Sequence, residues 1–137
     1  MQFQTDTGMA FFLPPTDWKT RSNNKARLDI TYHTGRDSPA AVNISLWGKK
    51  SIPVRVTSVS LNTENVEYTL SNIKVLFADS RKRELRITGE GDRDTLPALL
   101  EAEQITLIAE IDGVQYIYTP NKHYYRLKTD FLISISY

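Results

Sequence analysis

An alternation of apolar and polar residues with a period of two constrains this chain more than any other feature. Val42, Ile44 and Leu46 alternate with polar residues, and the segments 27–32, 66–77, 85–88 and 105–118 show the same pattern. Successive side chains of a β-strand point to opposite faces, so the pattern indicates strands that are buried on one side. We therefore expect mainly antiparallel β structure.

The Asp112-Gly113 dipeptide predicts the best-defined turn. Asp-Gly is typical of the two-residue type I′ hairpin turn, in which both central residues have a positive φ. Such a short turn fixes the register and places Ala109 opposite Tyr116 on the face that we expect to be buried. The same register adds two pairs on that face, Ile111 with Val114 and Leu107 with Tyr118.

Other segments refine this outline. The apolar residues of 54–61 change phase, which predicts a β-bulge near Thr57 and Ser58. Leu96, Leu99 and Leu100 have helical spacing, so one short helix is expected near residues 94–103, with Asp94 or Thr95 as its cap. The alternation of 131–137 predicts a last strand, leaving 94–103 as the only substantial helix.

The fold prediction is a single domain that covers residues 1–137. A chain of 137 residues has a common single-domain length, and no linker or repeat interrupts it. Short strands at regular spacing are typical of sandwiches and barrels, of which the sandwich is the commoner. We predict an all-β, antiparallel two-sheet β-sandwich of about nine strands, with one short helix near residues 94–103.

Composition excludes several kinds of chemistry. The chain has no cysteine, which excludes disulfides, thiolate zinc sites and a cysteine nucleophile. With 17 basic and 16 acidic residues its net charge is +1, so no overall field attracts nucleic acid, and nucleic acid is not an expected partner. The basic run 81–86 is interpreted as a solvated turn and an edge strand. No apolar stretch is long enough to span a membrane as a helix.

Catalytic and metal-binding motifs are not found in this sequence. The two histidines, His33 and His123, have no acidic clusters beside them, and the glycines Gly89 and Gly91 lack the continuation of a phosphate-binding loop. We expect His33 to face outward with Thr31. No catalytic residue, metal ligand or cofactor is predicted, and the compartment stays open between the cytoplasm and an exported protein whose signal is missing from this sequence.

Two regions are candidates for recognition. Trp47 precedes Gly48-Lys49-Lys50 in the opposite phase to Leu46, which predicts a partly exposed ring able to contact a sugar or peptide. The segment 118–126 follows the predicted hairpin and is rich in tyrosine and arginine, which often anchor binding. The alternatives are a tryptophan that caps one end of the core and tyrosines that pack over a sheet edge. The candidate binding residues are Trp47, Tyr118, His123, Tyr124, Tyr125 and Arg126.

The function predicted from these observations is a non-enzymatic protein-interaction or assembly module, for example of a bacterial envelope. Its partner is expected to be another protein, with a small molecule or sugar as the second choice. A small-ligand or carbohydrate-binding β-sandwich is therefore the first alternative. An enzyme with an unrecognised site is the other, because sites are grafted onto folds and are not implied by them.

Overall fold

Antiparallel strands dominate the architecture. The computed structural model describes residues 2–5, 8–33, 38–48, 54–79, 81 and 84–135. Within them the strands are β1 (Gln2–Thr5), β2 (Gly8–Lys19), β3 (Lys25–His33), β4 (Ala40–Trp47), β5 (Val56–Asn62), β6 (Glu67–Thr69), β7 (Ser71–Asp79), β8 (Glu84–Gly91), β9 (Thr106–Ile111) and β10 (Val114–Pro120). The helices are α1 (Leu96–Glu101) and α2 (Lys122–Ile135).

The strands form one sheet in the order β6-β5-β9-β10-β2-β3-β4-β8-β7, with β1 added to β2. Every pairing between these strands is antiparallel. The sheet curls into a nearly closed barrel. The predicted antiparallel β class is thus confirmed, whereas the predicted sandwich of two separate sheets matches only roughly.

Leu70 joins the two ends of the sheet. Its amide donates to the carbonyl of Val59 in β5 at 3.0 Å, and the next residue, Ser71, is in register with Glu90 of β8. One continuous segment therefore pairs first with β5, as β6, and then with β8, as β7. Because Leu70 is itself buried, the crossing point also contributes to the core.

A second junction, between β10 and β2, is held by a short ladder and by α2. The ladder consists of Thr119 opposite Lys19 and Pro120 opposite Trp18. Helix α2 packs against both strands, and its residues Tyr124, Phe131 and Ile135 are buried. The rings of Trp18 and Tyr124 meet edge to face, with their centroids 5.1 Å apart. The helix thus supplies side chains where strand pairing is sparse.

The prediction of a last strand over 131–137 is wrong, because 131–135 belong to α2 and 136–137 lie outside the described residues. The prediction that the only substantial helix lies within 94–103 is also wrong, because α2 has 14 residues. Asn121 starts the helix, since its Oδ1 accepts the amides of His123 and Tyr124 at 3.1 and 3.4 Å. Tyr124, Phe131 and Ile135 fall at helical spacing, so burying them together outweighs the local alternation.

The core lies on the inner side of the sheet. Burial alternates along β3 and β4 as the apolar pattern predicts, with Leu28, Ile30, Val42, Ile44 and Leu46 inside.

The predicted short helix is confirmed as α1, whose three leucines are buried. Thr95 occupies its cap position without a side-chain cap hydrogen bond. Lys128 of α2 donates to the carbonyl of Ala102 at 2.6 Å and ties the end of α1 to α2.

The predicted hairpin between β9 and β10 is confirmed. Ala109 pairs with Tyr116, and both turn residues have positive φ, 52° at Asp112 and 79° at Gly113. Val114, expected in the core, is instead 51% exposed because it lies at the open tip of the hairpin. The bulge predicted near Thr57 and Ser58 is also found, as a register shift in β5 between Val56 and Ser58.

Strand β8 differs from its prediction. The prediction that the basic run 81–86 lies in an edge strand is wrong, because β8 lies between β4 and β7. Arg81 is exposed before β8, and 82–83 lie outside the described residues. Gly89 and Gly91 belong to this strand and are buried. A Cβ at Gly91 would collide with the ring of Tyr68, whose hydroxyl donates to the carbonyl of Asp92 at 2.7 Å. Glycine is therefore needed there so that the Tyr68 ring can enter the core.

We expect Gly113→Val to lower the free energy of unfolding by about 1 kcal/mol or more, because a β-branched residue tolerates positive φ poorly. A Cβ at this position meets no atom within 4 Å, so the cost arises from the backbone alone. Gly113→Asn is the matched control and should cost less, since asparagine accepts this conformation. Denaturant unfolding measures both variants, and equal losses would contradict the turn geometry.

Gly91→Ala should destabilise the protein by about 1–3 kcal/mol, because the new methyl group enters the space of the Tyr68 ring. Replacing that ring with leucine should relieve the collision. In a double-mutant cycle, Gly91→Ala is thus expected to cost less in the Tyr68→Leu background than in the unmodified chain. Additive losses in chemical denaturation would show that the two positions do not oppose each other.

Candidate functional site

The segment 118–126 is divided between the core and the surface. It consists of the end of β10, Asn121 and the first turn of α2. Tyr118 and Tyr124 are buried, Tyr125 is half-buried, and His123 and Arg126 are exposed. Only part of the predicted surface can therefore meet a partner.

The buried tyrosines have the electrostatic signature of core residues. Burial, with a smaller contribution from Tyr116, raises the pKa of Tyr118 to about 12. Burial also raises the pKa of Tyr124, and Tyr125 adds to that effect. Tyr125 itself meets the ring of Tyr124 edge to face at 5.1 Å, with the ammonium group of Lys128 5.3 Å from its own centroid. For Tyr118 and Tyr124 the geometry matches the structural alternative, in which tyrosines pack against the sheet.

Trp47 lies at a surface cleft of about 520 Å³. The cleft is formed by the ends of β2 and β4, the beginning of β3 and the residue that precedes α2. Its lining consists of Asp17, Trp18, Lys19, Lys25, Arg27, Trp47 and Asn121. The structure thus brings one of the two predicted regions, Trp47, next to Asn121 of the other region. His123, Tyr125 and Arg126 do not line this cleft.

The alternation of β4 explains the position of Trp47. Leu46 faces the core and is fully buried, so Trp47 faces the outer side of the sheet, where it is half-buried. The guanidinium group of Arg27 lies over its ring, 5.7 Å from the centroid. Asp17 accepts a hydrogen bond from Arg27 Nε at 3.0 Å, and both side chains are more than half exposed. Together they form an adjoining aromatic and cationic surface.

On the other side of Trp47 the charges are paired. Glu84 of β8 is in register with Trp47, and its side chain is only 8% exposed. Its Oε1 accepts a hydrogen bond from Arg86 Nε at 2.7 Å. This pair therefore adds no strong net charge to the ring's surroundings.

Lys19 and Lys25 are opposite each other at the cleft. They form the last register pair between β2 and β3, and both are exposed. Two ion pairs are found among the described residues, and neither involves a lysine. Like charges directly opposite on an antiparallel pair are destabilising. With Arg27, the lysines give the cleft three cations against one carboxylate, Asp17.

The cleft offers cationic and aromatic side chains and one carboxylate, Asp17, which is hydrogen-bonded to Arg27. Within the described ranges no group of three or more metal-ligating side chains converges. His33 ends β3, whereas Lys25 begins it, so the histidine lies far along the strand from the cleft. We predicted that His33 faces outward, but its side chain is half-buried. Its Nδ1 is enclosed and has no hydrogen-bond partner in the described part of the chain.

Sequence reasoning missed most of the residues that line the cleft. Alternation does place Arg27 on a polar face, but it does not show which residues of β2 lie beside it. That register depends on an irregularity between Leu13 and Thr16, where Pro14-Pro15 interrupts the pairing with β3. Lys49 and Lys50, the lysines that the sequence places next to Trp47, lie outside the described residues.

No protein-family model, curated protein or solved structure matches this chain. None of the helices in the described residues is long and apolar enough to cross a membrane. The geometry and charge of the cleft are therefore the features that bear on function.

Alanine substitution should separate the structural and surface residues of 118–126. Tyr124→Ala removes a ring that is 1% exposed, so we expect it to lower the free energy of unfolding by about 3–5 kcal/mol. His123→Ala and Arg126→Ala, at exposed positions, should change it by about 0.5 kcal/mol or less. Urea denaturation followed by circular dichroism measures all three variants. A large loss in His123→Ala would mean that the histidine packs more closely than its exposure indicates.

Proposed function

We propose that this protein is a non-enzymatic protein-interaction module whose cleft around Trp47 binds an acidic segment of a partner protein. The observation that carries this proposal is the opposition of Lys19 and Lys25 beside Trp47 and the guanidinium group that lies over its ring. The charge, the surface chemistry and the size of the cleft all support it.

The lysine pair is an unfavourable arrangement that a ligand can correct. Two ammonium groups on directly opposed residues repel each other, and no carboxylate of the described residues forms an ion pair with them. Proteins tolerate such locally unfavourable arrangements at functional sites. A glutamate or aspartate of a partner, placed between Lys19 and Lys25, would turn the repulsion into attraction.

Trp47 and Arg27 supply the contact area. Tryptophan and arginine are enriched among residues that dominate the energy of protein interfaces. Here Arg27 hydrogen-bonds Asp17 and lies over the ring, with about half of its side chain exposed to a partner. A partner segment with an apolar residue next to a carboxylate would meet both the ring and the lysines.

The volume of the cleft and the limited extent of its positive charge favour a short partner segment. A volume of about 520 Å³ lies within the common range for ligand sites, about 300–1,000 Å³. The net charge of the whole chain is only +1, so attraction is confined to the cleft and its neighbours. Nucleic-acid binding would require a wider basic field.

A small anionic ligand is the second candidate, and the same cleft volume favours it. The two candidates differ in what surrounds the carboxylate. A peptide gains from contacts along the sheet beyond the cleft, whereas a small acid gains nothing beyond the lysines and Trp47. Comparing acidic peptides with free glutamate and with citrate distinguishes them.

Titration calorimetry with a short poly-glutamate peptide tests the proposal directly. Poly-glutamine and poly-lysine of equal length are the controls for backbone and for charge. We expect poly-glutamate to bind, and added salt to weaken that binding, because the contacts are exposed ionic ones. Equal binding of poly-glutamine would contradict an acidic partner, and no binding of either peptide would contradict the proposed function.

Lys25→Glu should change stability and binding in opposite directions. It replaces a repulsive pair with an attractive one, so we expect the free energy of unfolding to rise by about 0.2–1 kcal/mol. Binding of poly-glutamate should weaken about tenfold or more, since one cation becomes an anion, a change of about 1.4 kcal/mol or more.

Arg55→Glu is the matched control for Lys25→Glu. It makes the same change in net charge at an exposed residue beside β5, which β9 and β10 separate from β2. Thermal unfolding and calorimetry apply to both variants. If Arg55→Glu weakens peptide binding as much as Lys25→Glu does, the effect is one of overall charge and the cleft has no special role.

A further inference from the structure

Strand β7 exposes apolar side chains at the end of the sheet order. Leu76 is 62% exposed and Val75 46%, although Val75 lies opposite the core-facing Ile87 of β8. Between Lys74 and Asp79, no described strand other than β8 pairs with it. Such an edge carries backbone donors and acceptors that can pair with another chain.

A bulge places two opposite charges on one face of this strand. Lys74 is in register with Thr88 and Asp79 with Glu84, with a register shift between Val75 and Phe77. Thr88 and Glu84 are four positions apart in β8, an even difference, so they lie on the same face. Without the bulge, Lys74 and Asp79 would lie on opposite faces, because they are five positions apart and successive residues alternate between faces.

The pattern of β7 is complementary to itself. When two copies of the strand are placed antiparallel about an axis between Leu76 and Phe77, Lys74 faces Asp79 of the partner subunit. The same register sets Val75 against Ala78 of the partner subunit. Opposite charges across a strand pair are stabilising, and the small and branched apolar residues lie between the two ionic contacts.

We propose that β7 pairs with β7 of a second copy to form a two-fold dimer. The register is set by ionic pairs between Lys74 and Asp79 at both ends. Asp79 already accepts the amide of Arg81 at 2.9 Å, and a carboxylate can accept several hydrogen bonds at once. This dimer does not depend on the cleft, because Trp47 and the opposed lysines lie on β2, β3 and β4.

The dimer should be weak. One pair of edge strands buries less area than the roughly 1,000 Å² typical of a stable interface, so association should depend on concentration. Sedimentation velocity from about 1 µM to about 1 mM, a range suited to weak contacts, is the measurement. We expect the mean mass to rise from one chain towards two.

Charge reversal tests the register itself. Lys74→Asp places two acids opposite each other, and Asp79→Lys places two bases. Each variant alone should therefore dimerise with an affinity that is lower by a factor of about ten or more. In an equimolar mixture the two variants complement each other. Association should then return, as a heterodimer, with about the affinity of the unmodified chain. Circular dichroism confirms that each variant folds.

Leu76→Glu is the second variant, in case loss of the Asp79 turn contact prevents folding. Its exposed position leaves the core unchanged, and the introduced acids meet near the two-fold axis, so dimerisation should be lost. A monomer at every concentration overturns the proposal. So does a dimer whose affinity is the same in Lys74→Asp, Asp79→Lys and Leu76→Glu. Failure of the mixed variants to associate overturns the proposed register.

Discussion

The hydrogen bond from the amide of Leu70 to the carbonyl of Val59 connects two parts of the sheet that would otherwise end in open edges. The chain leaves β5 through β6, crosses at Leu70 and continues along β8 as β7. Every strand between β5 and β8 is thereby brought into one curved sheet around a shared core. The glycines of β8 belong to the same junction, since Gly89 faces Leu70 and Gly91 makes room for Tyr68. A side chain at either glycine would push the crossing segment away from the sheet.

Closure at this point decides which strand edges remain exposed. After Leu70 the chain follows β8 and leaves β5, so the later residues of β7 have a sheet neighbour on one side only among the described strands. Proteins commonly protect such an edge with bulges and charged residues. Both occur in β7, where Lys74 and Asp79 flank a bulge. Features that discourage random pairing can also favour one register, because a bulge and a charge pattern exclude most alternatives.

Features set by neighbouring residues could be predicted from the sequence, and features set by distant pairing could not. Alternation identified the buried faces of β3 and β4, and Asp112-Gly113 identified a turn and its register. The curvature of the sheet depends on Leu70 meeting Val59, which no local pattern shows. Helix α2 was mistaken for a strand because its last residues alternate, although Asn121 and the spacing of Tyr124, Phe131 and Ile135 favour a helix. The outward direction of Trp47 follows from the local alternation of β4 and was predictable. The opposition of Lys19 and Lys25 depends on the register between two strands and was not.

The packing of Trp18 against Tyr124 has a consequence for how the chain acquires its structure. Trp18 lies in β2, while Tyr124 lies in α2, which follows all the strands of the described residues in chain order. During synthesis, the junction between β10 and β2 therefore stays incomplete until α2 has emerged from the ribosome. Contacts between residues so distant in sequence slow folding, because a long loop must be closed before the contact contributes. The early strands must therefore remain unaggregated in the meantime, and the charged residues on their outer faces help to keep them soluble.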